Sequence, residues 1–295
     1  MGHAALQRVV VRMLFDAAFA DQVYANPAAA LDGLALSEAE RGWLIAPDRR
    51  AYRVDPMRRH RSLRALIEEH PVSVAALAAG GAPVRGHDAF FSGERFHRAI
   101  EERRSLATAF GERLAALAQT PLQRGLVALE RGMAAARRGR AAAFGPGVEV
   151  RLAGTARIVA CPSGTLEAYA RISQALGEGG RAPLEALLGG NLRLPRTPVD
   201  PAGVEHVLIE AASDRGDAGA SLSFQSEELA GLLRVAADGA TRAALIGYLG
   251  EAGLDGAEAV ELVDELVTDG LLDVLGALDE PISPGEHADL GTTRP

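Results

Sequence analysis

Over the first 145 residues apolar side chains recur at intervals of three and four, the spacing of an amphipathic helix. Leu6, Val9, Val10, Met13 and Leu14 form one stripe, and Phe15, Phe19, Val23 and Tyr24 continue it toward Asn26-Pro27. There the proline disfavours helix at the residue before it. Ser37-Glu38-Ala39-Glu40 is a capping box that opens a short helix carrying Trp43 and Leu44. Further helices are predicted from near Ser92 past Phe96, Ile100 and Leu106, and from Leu122 to Ala136. These elements imply a helical bundle.

The period changes after Phe144-Gly145-Pro146-Gly147. Val148–Leu152 and Ala156–Ala160 alternate and can pair as strands across Ala153-Gly154-Thr155, and Thr165–Leu176 reads as a helix. Gly177–Pro201 is rich in glycine and proline and reads as a linker with one helical turn near Leu184–Leu188. Val204–Glu210 and Ser221–Gln225 alternate again, and Ser213–Gly219 between them carries turn residues, so the pair reads as a hairpin. Three helical patterns follow. Leu229, Leu232 and Leu233 mark the first, Ala244, Leu245, Tyr248 and Leu249 the second, and Leu262, Val263, Leu266 and Val267 the third. Asp255 with Glu258 caps the third, and Gly250 and Gly253 form the joint before it. The predicted fold class is α+β: an N-terminal all-α bundle (1–145), a strand-helix segment and linker (146–202), a winged-helix-like domain of a small antiparallel sheet plus three helices (203–280), and a flexible tail (281–295).

Charge qualifies the winged-helix reading. From Val204 to Glu280 there are three Arg against seventeen acidic residues, and the third helix carries Glu258, Glu261, Asp264, Glu265 and Asp269 without one Arg. Duplex binding depends on neutralising phosphates, so nucleic acid is not the expected partner. All basic residues are Arg; they exceed the acids by 6 in residues 1–145 and fall short by 14 in 146–295. No run approaches the length of a membrane span, and the N-terminus lacks a signal-peptide pattern, so a cytoplasmic protein is expected.

Cys161 is the only cysteine, which excludes an intrachain disulfide framework. Its two readings are a small buried residue at a strand end and a nucleophile with no base nearby in sequence. Glu94-x-x-His97 has the spacing of a di-iron ligand pair, but such sites need a second copy, and none exists; a surface Glu and His on an amphipathic helix is the expectation. His87-Asp88 is expected in a loop, and His206 as a hydrogen-bonded structural histidine. The start of the helix after Ser163-Gly164 has the character of an anion site, but no P-loop pattern accompanies it. With no recognised catalytic motif in the chain, a binding role is expected, with no catalytic residue and no metal ligand.

Residues 49–64 contain seven Arg. One reading is a solvated face paired with Asp48, Asp55, Glu68 and Glu69. The other is a docking surface for an acidic protein partner, or in second place RNA, made by Arg49, Arg50, Tyr52, Arg53, Arg58 and Arg59.

Two resemblances bear on these alternatives. The strands followed by three helices, with Leu222–Leu233, Ala237–Thr241 and Val263–Leu272, resemble the peptide-chaperone domain of pyrroloquinoline quinone biosynthesis, which typifies the recognition elements of ribosomally made, post-translationally modified peptides. The segments Asp16–Phe19, Asn26–Leu31, Leu36–Leu44 and Asp48–Tyr52 look like the N-terminal helical region of partner subunits of multinuclear non-heme iron peptide-modifying enzymes, the pairs found in methanobactin and 3-thiaglutamate biosynthesis. The resemblance implies that the partner enzyme holds the iron and performs the oxidation, while this chain carries no cofactor and binds both enzyme and precursor. It also implies a mode of binding, in which the peptide adds a strand to Leu222, Ser223, Phe224 and Gln225 against a helical wall of Leu262, Glu265, Leu266 and Asp269. Ordinary core is the competing reading for Leu222, Phe224, Leu262 and Leu266. The alternatives from other classes are a winged-helix transcriptional regulator and an enzyme with a composite site at the domain boundary.

Overall fold

Asp16 divides the first apolar stripe into two helices. In the computed structural model, which describes residues 3–53, 55, 57–139, 144–177, 185, 187, 194, 195, 199–211 and 219–275, α1 spans His3–Phe15 and α2 Ala17–Ala25. The Asp16 carboxylate accepts the Phe19 N–H at 3.1 Å and so caps α2. Asn26 caps α3 (Pro27–Ala30) in the same way, and Ser37 with Glu40 forms the expected capping box of α4 (Glu38–Ile45). A 3₁₀ turn over Arg49–Arg53 leads to α5 (Arg58–Glu69), α6 (Pro71–Ala79) and a second 3₁₀ stretch, Val84–Ser92.

The helix expected from Ser92 past Leu106 is two helices, α7 (Glu94–Glu101) and α8 (Leu106–Leu117). Arg103 adopts a positive φ of 53°, which ends one helix, and the Ser105 hydroxyl accepts the Thr108 N–H to start the next. α9 (Pro121–Arg137) follows, opened by a Thr120–Gln123 capping box. Phe90, Phe91, Phe96 and Phe110 are fully buried at the centre of this bundle and meet edge-to-face at 5.3 to 5.6 Å between ring centroids.

The chain is mixed α/β and divides into two units, 1–138 with 157–225 and 139–156 with 226–295. The first unit adds to the helices a three-stranded sheet in the order β2 (Ala156–Ser163), β3 (Asp200–Ala211), β4 (Ala220–Gln225), and a helix α10 (Thr165–Gly177) that joins the bundle core through Ala168, Ile172 and Leu176. β3 and β4 are antiparallel, from His206 opposite Gln225 to Ala211 opposite Ala220. Val207 and Ile209 pack with Leu129 and Ala136 of α9. Gly132 permits this approach: a Cβ there would lie 2.5 Å from Ile209 Cδ1 and 2.9 Å from Val159 Cγ2.

In the second unit β1 (Val150–Leu152) pairs antiparallel with β5 (Leu272–Val274), and Val150 also bridges to Ala240. The three expected helices are α11 (Glu227–Asp238), α12 (Arg242–Glu251) and α13 (Gly256–Thr268), capped by Ser226, Thr241 and Asp255. Leu232, Leu233, Leu245, Leu249 and Val263 are buried among them.

One strand pairing and one domain boundary differ from the expectation. Val148–Leu152 and Ala156–Ala160 do not form a hairpin with one another, because β1 joins β5 and β2 lies beside β3. The hairpin expected to begin a 203–280 domain belongs to the first unit, whereas the three helices belong to the second. Period-two alternation states which face of a strand is buried and leaves its hydrogen-bonding partner open. Of the helical turn expected near 184–188, residues 185 and 187 are described and helical, with Leu187 buried; the expected turn at 213–218, most of the linker and the tail 281–295 lie outside the described residues.

Candidate functional site

β4 is the edge of its sheet, bonded to β3 on one side and to no strand on the other among the described residues. Its sequence, Ala220-Ser221-Leu222-Ser223-Phe224-Gln225, contains no charge and no proline. Edge strands ordinarily carry a charge, a proline or a bulge that discourages pairing with another chain, and β4 lacks the first two. Its backbone is available as a template for an added strand.

The eight residues predicted to hold a peptide divide between the units. Leu222 packs against the Leu129–Ile209 cluster and serves the core, whereas Phe224 is 64% exposed. Ser223 and Gln225 are half-buried, and the Gln225 amide donates to the Ser223 hydroxyl at 2.9 Å. In the second unit Leu266 is buried and Leu262 half-buried, while Glu265 and Asp269 are exposed on α13. Arg242 of α12 forms an ion pair with Asp264.

Most of the arginines predicted to dock a partner have intramolecular work. Arg49 and Arg53 both pair with Asp21, at 2.6 and 2.5 Å. Arg58 donates to the Leu14 carbonyl at 3.2 Å, and Arg59 donates to the Phe15 carbonyl at 2.7 Å and to Asp88 Oδ1 at 2.5 Å, tying α5 to the end of α1. The Tyr52 hydroxyl donates to the Leu44 carbonyl at 3.1 Å. Arg50 is exposed, and so, in neighbouring elements, are Trp43 (60%) and Met57 (50%). Asp55 and Glu68 take up Arg61 and Arg64, as a solvated face requires; Asp21 and Asp88, distant in sequence, complete the pairing.

Cys161 is buried, and its thiol is pushed up to about 12 by burial and by the Glu205 carboxylate 3.6 Å away. A thiol so held is a poor nucleophile. His97 is buried and not a surface residue, and Glu94 beside it pairs with Arg98. His87 lies in the second 3₁₀ stretch and is buried, and His206 is buried; among the described residues neither ring nitrogen of His87 and not Nδ1 of His206 finds a hydrogen-bond partner. Among the described residues no group of three or more His, Cys, Asp or Glu is placed to hold a metal, and no helix is long and apolar enough to cross a membrane. Compared with known proteins, the chain matches no family model and no curated protein.

Proposed function

We propose that this chain is a non-catalytic partner protein that binds a ribosomal precursor peptide through its leader and presents it to an iron-dependent oxidative peptide-modifying enzyme, which supplies the iron. The observation that carries the reading is β4, an uncharged edge strand on which Phe224 is 64% exposed. A leader segment adds to β4 as a further strand, held by backbone hydrogen bonds, and covers Phe224 with an apolar side chain. Leu222, already in the core, supports the strand and does not read the peptide. Glu265 and Asp269, with Leu262, belong to the other unit and are not part of this strand-addition site.

The second unit is read as winged-helix-like, with Ala240, β1 and β5 as its short sheet beside α11, α12 and α13. The regulator alternative draws no support from it. Glu258, Glu261, Asp264 and Glu265 are exposed on α13, and Arg242 is engaged by Asp264, so this face repels phosphate. Enzyme docking is assigned to Arg50 with Trp43 and Met57, in a cytoplasmic complex.

The test is a pulldown of the tagged protein from its native host, with mass spectrometry and metal analysis of what accompanies it. Recovery of an iron-containing protein and a short peptide is expected. Phe224→Asp removes about 2 kcal/mol of apolar contact and so weakens the peptide by roughly 30-fold while retaining the enzyme. Recovery of the protein alone, metal-free and without peptide, refutes the reading.

A further inference from the structure

A cleft of about 210 Å³ opens in the first unit where α1, α2 and α7 meet, and it is unrelated to β4. Val9, Phe19 and Leu34 give it an apolar floor. Two ion pairs stand around it, Arg8 with Glu101 and Arg98 with Glu94, and each cancels its own charge. Two cleft residues remain without hydrogen-bond partners among the described residues. Arg12 has a buried, unbonded Nε and its guanidinium carbon 3.8 Å from the Phe19 ring centroid; His97 is only 9% exposed, with neither ring nitrogen bonded. Buried polar atoms are ordinarily paired, and unpaired ones beside an open volume mark where a ligand completes the set.

We infer that this cleft binds the carboxylate of a small monoacid with a short apolar body, seated between Arg12 and His97. The guanidinium presents a planar fork that matches a carboxylate, and the imidazole adds one further donor. Arg8 and Arg98 are engaged by the rim carboxylates, and among the described residues lining the cleft Arg12 has no ion pair, which suits a monoanion better than a dianion. The volume is about seven times the share of a water molecule, room for a few carbons and not for a nucleotide. The proposal stands apart from the peptide-presenting role and survives its failure.

Binding is coupled to a proton. His97 is held below the ordinary histidine range by burial first and then by Arg12 and Arg8. A carboxylate placed against it favours the imidazolium, so affinity rises as pH falls below 7. Arg8, Arg12, Asp16, Glu94, Arg98 and Glu101 are the other charged groups facing it, and histidine is the side chain that ordinarily titrates in that window.

The experiment follows the His97 imidazole by nitrogen-edited NMR on the full chain, assigned against His97→Gln, during titration with butanoate, butanamide and N-acetyl-alanylvaline. Saturable shifts with butanoate, tighter at pH 6 than at pH 7, and none with butanamide are expected. Arg12→Gln should weaken butanoate tenfold or more, and Leu34→Trp, which fills the cleft and leaves its cations in place, should abolish the response. A response to N-acetyl-alanylvaline alone identifies the occupant as a peptide C-terminus; equal responses to both acids identify it as any small carboxylate. Equal responses to butanoate and butanamide, an undiminished response in Leu34→Trp, or no saturable shift from either acid up to about 10 mM overturns the inference.

Discussion

Glu205 on β3 accepts the backbone N–H of Leu166 at 2.6 Å, and its other carboxylate oxygen accepts that of Gly164 at 3.0 Å. The start of α10, which has the character of an anion site in the sequence, is therefore filled from within the chain by a residue about forty positions away. Glu205→Ala leaves those N–H groups unpaired and should destabilise the protein by about 1 to 3 kcal/mol, read as a lower midpoint in urea with unchanged slope.

Cys161 should resist alkylation. With its thiol pushed up to about 12, the thiolate fraction at pH 8 is on the order of a thousandfold below that of an ordinary cysteine. Intact-mass measurement of iodoacetamide labelling should show slow modification of the native protein and rapid modification in denaturant. Labelling of the native form at the denatured rate would return Cys161 to the list of nucleophiles.

Stability should peak near neutral pH, for opposing reasons. His70 and His87 are each lowered to about 4 by burial, so the unfolded chain takes up protons that the folded one does not, and stability rises as pH climbs from 4 to 6.5. Glu130, buried beneath the Val72 and Ser73 N–H groups, is raised to about 7 by its burial and acts in the other direction, costing stability as pH rises from 4.5 to 7. Two histidines outweigh one carboxylate, so urea titrations should give a net rise of about 1.4 kcal/mol per pH unit between 4.5 and 6.5. Glu130→Gln should steepen that rise and remove the decline just below pH 7.

Among the described residues His87 has no hydrogen-bond partner for either ring nitrogen, and it meets Phe110 edge-on, with centroids 5.8 Å apart. His87→Leu removes two buried unpaired polar atoms and should raise stability at pH 5 by about 1 to 3 kcal/mol, measured by thermal or urea unfolding. A loss of stability at every pH would show that the imidazole is held for its shape.

Arg59 and Arg50 should separate structure from docking. Arg59→Ala breaks bonds to Asp88 and to the Phe15 carbonyl and should cost about 1 to 3 kcal/mol of stability. Arg50→Glu, at an exposed position, should leave stability within about 0.5 kcal/mol and weaken enzyme capture in the pulldown. Equal capture by Arg50→Glu and the unaltered protein would remove Arg50 from the docking surface.

Short-range features were legible in the sequence. Ser37 and Asp255 cap helices with the groups that the pattern assigns to them, because a cap bonds within three residues of itself. The β3–β4 hairpin also follows from local alternation. The Arg12–His97 cleft was not legible: Glu94-x-x-His97 suggests a surface pair, and only the packing of α1 against α7 buries the imidazole beside Arg12.

By itself the sequence determined the capped helix starts at Ser37 and Asp255, the three C-terminal helices, the hairpin and the acidic character of α13, all of which depend on neighbours within a few residues. The tertiary structure decided what each strand pairs with, which carboxylates are buried and which arginines are engaged. β1 and β2 have the alternation of a hairpin and yet join different sheets, since alternation fixes a buried face and the hydrogen-bonding edge is chosen by strands more than forty residues away. Glu205, Glu130 and Arg59 are each assigned their place by a distant backbone group that needs a partner.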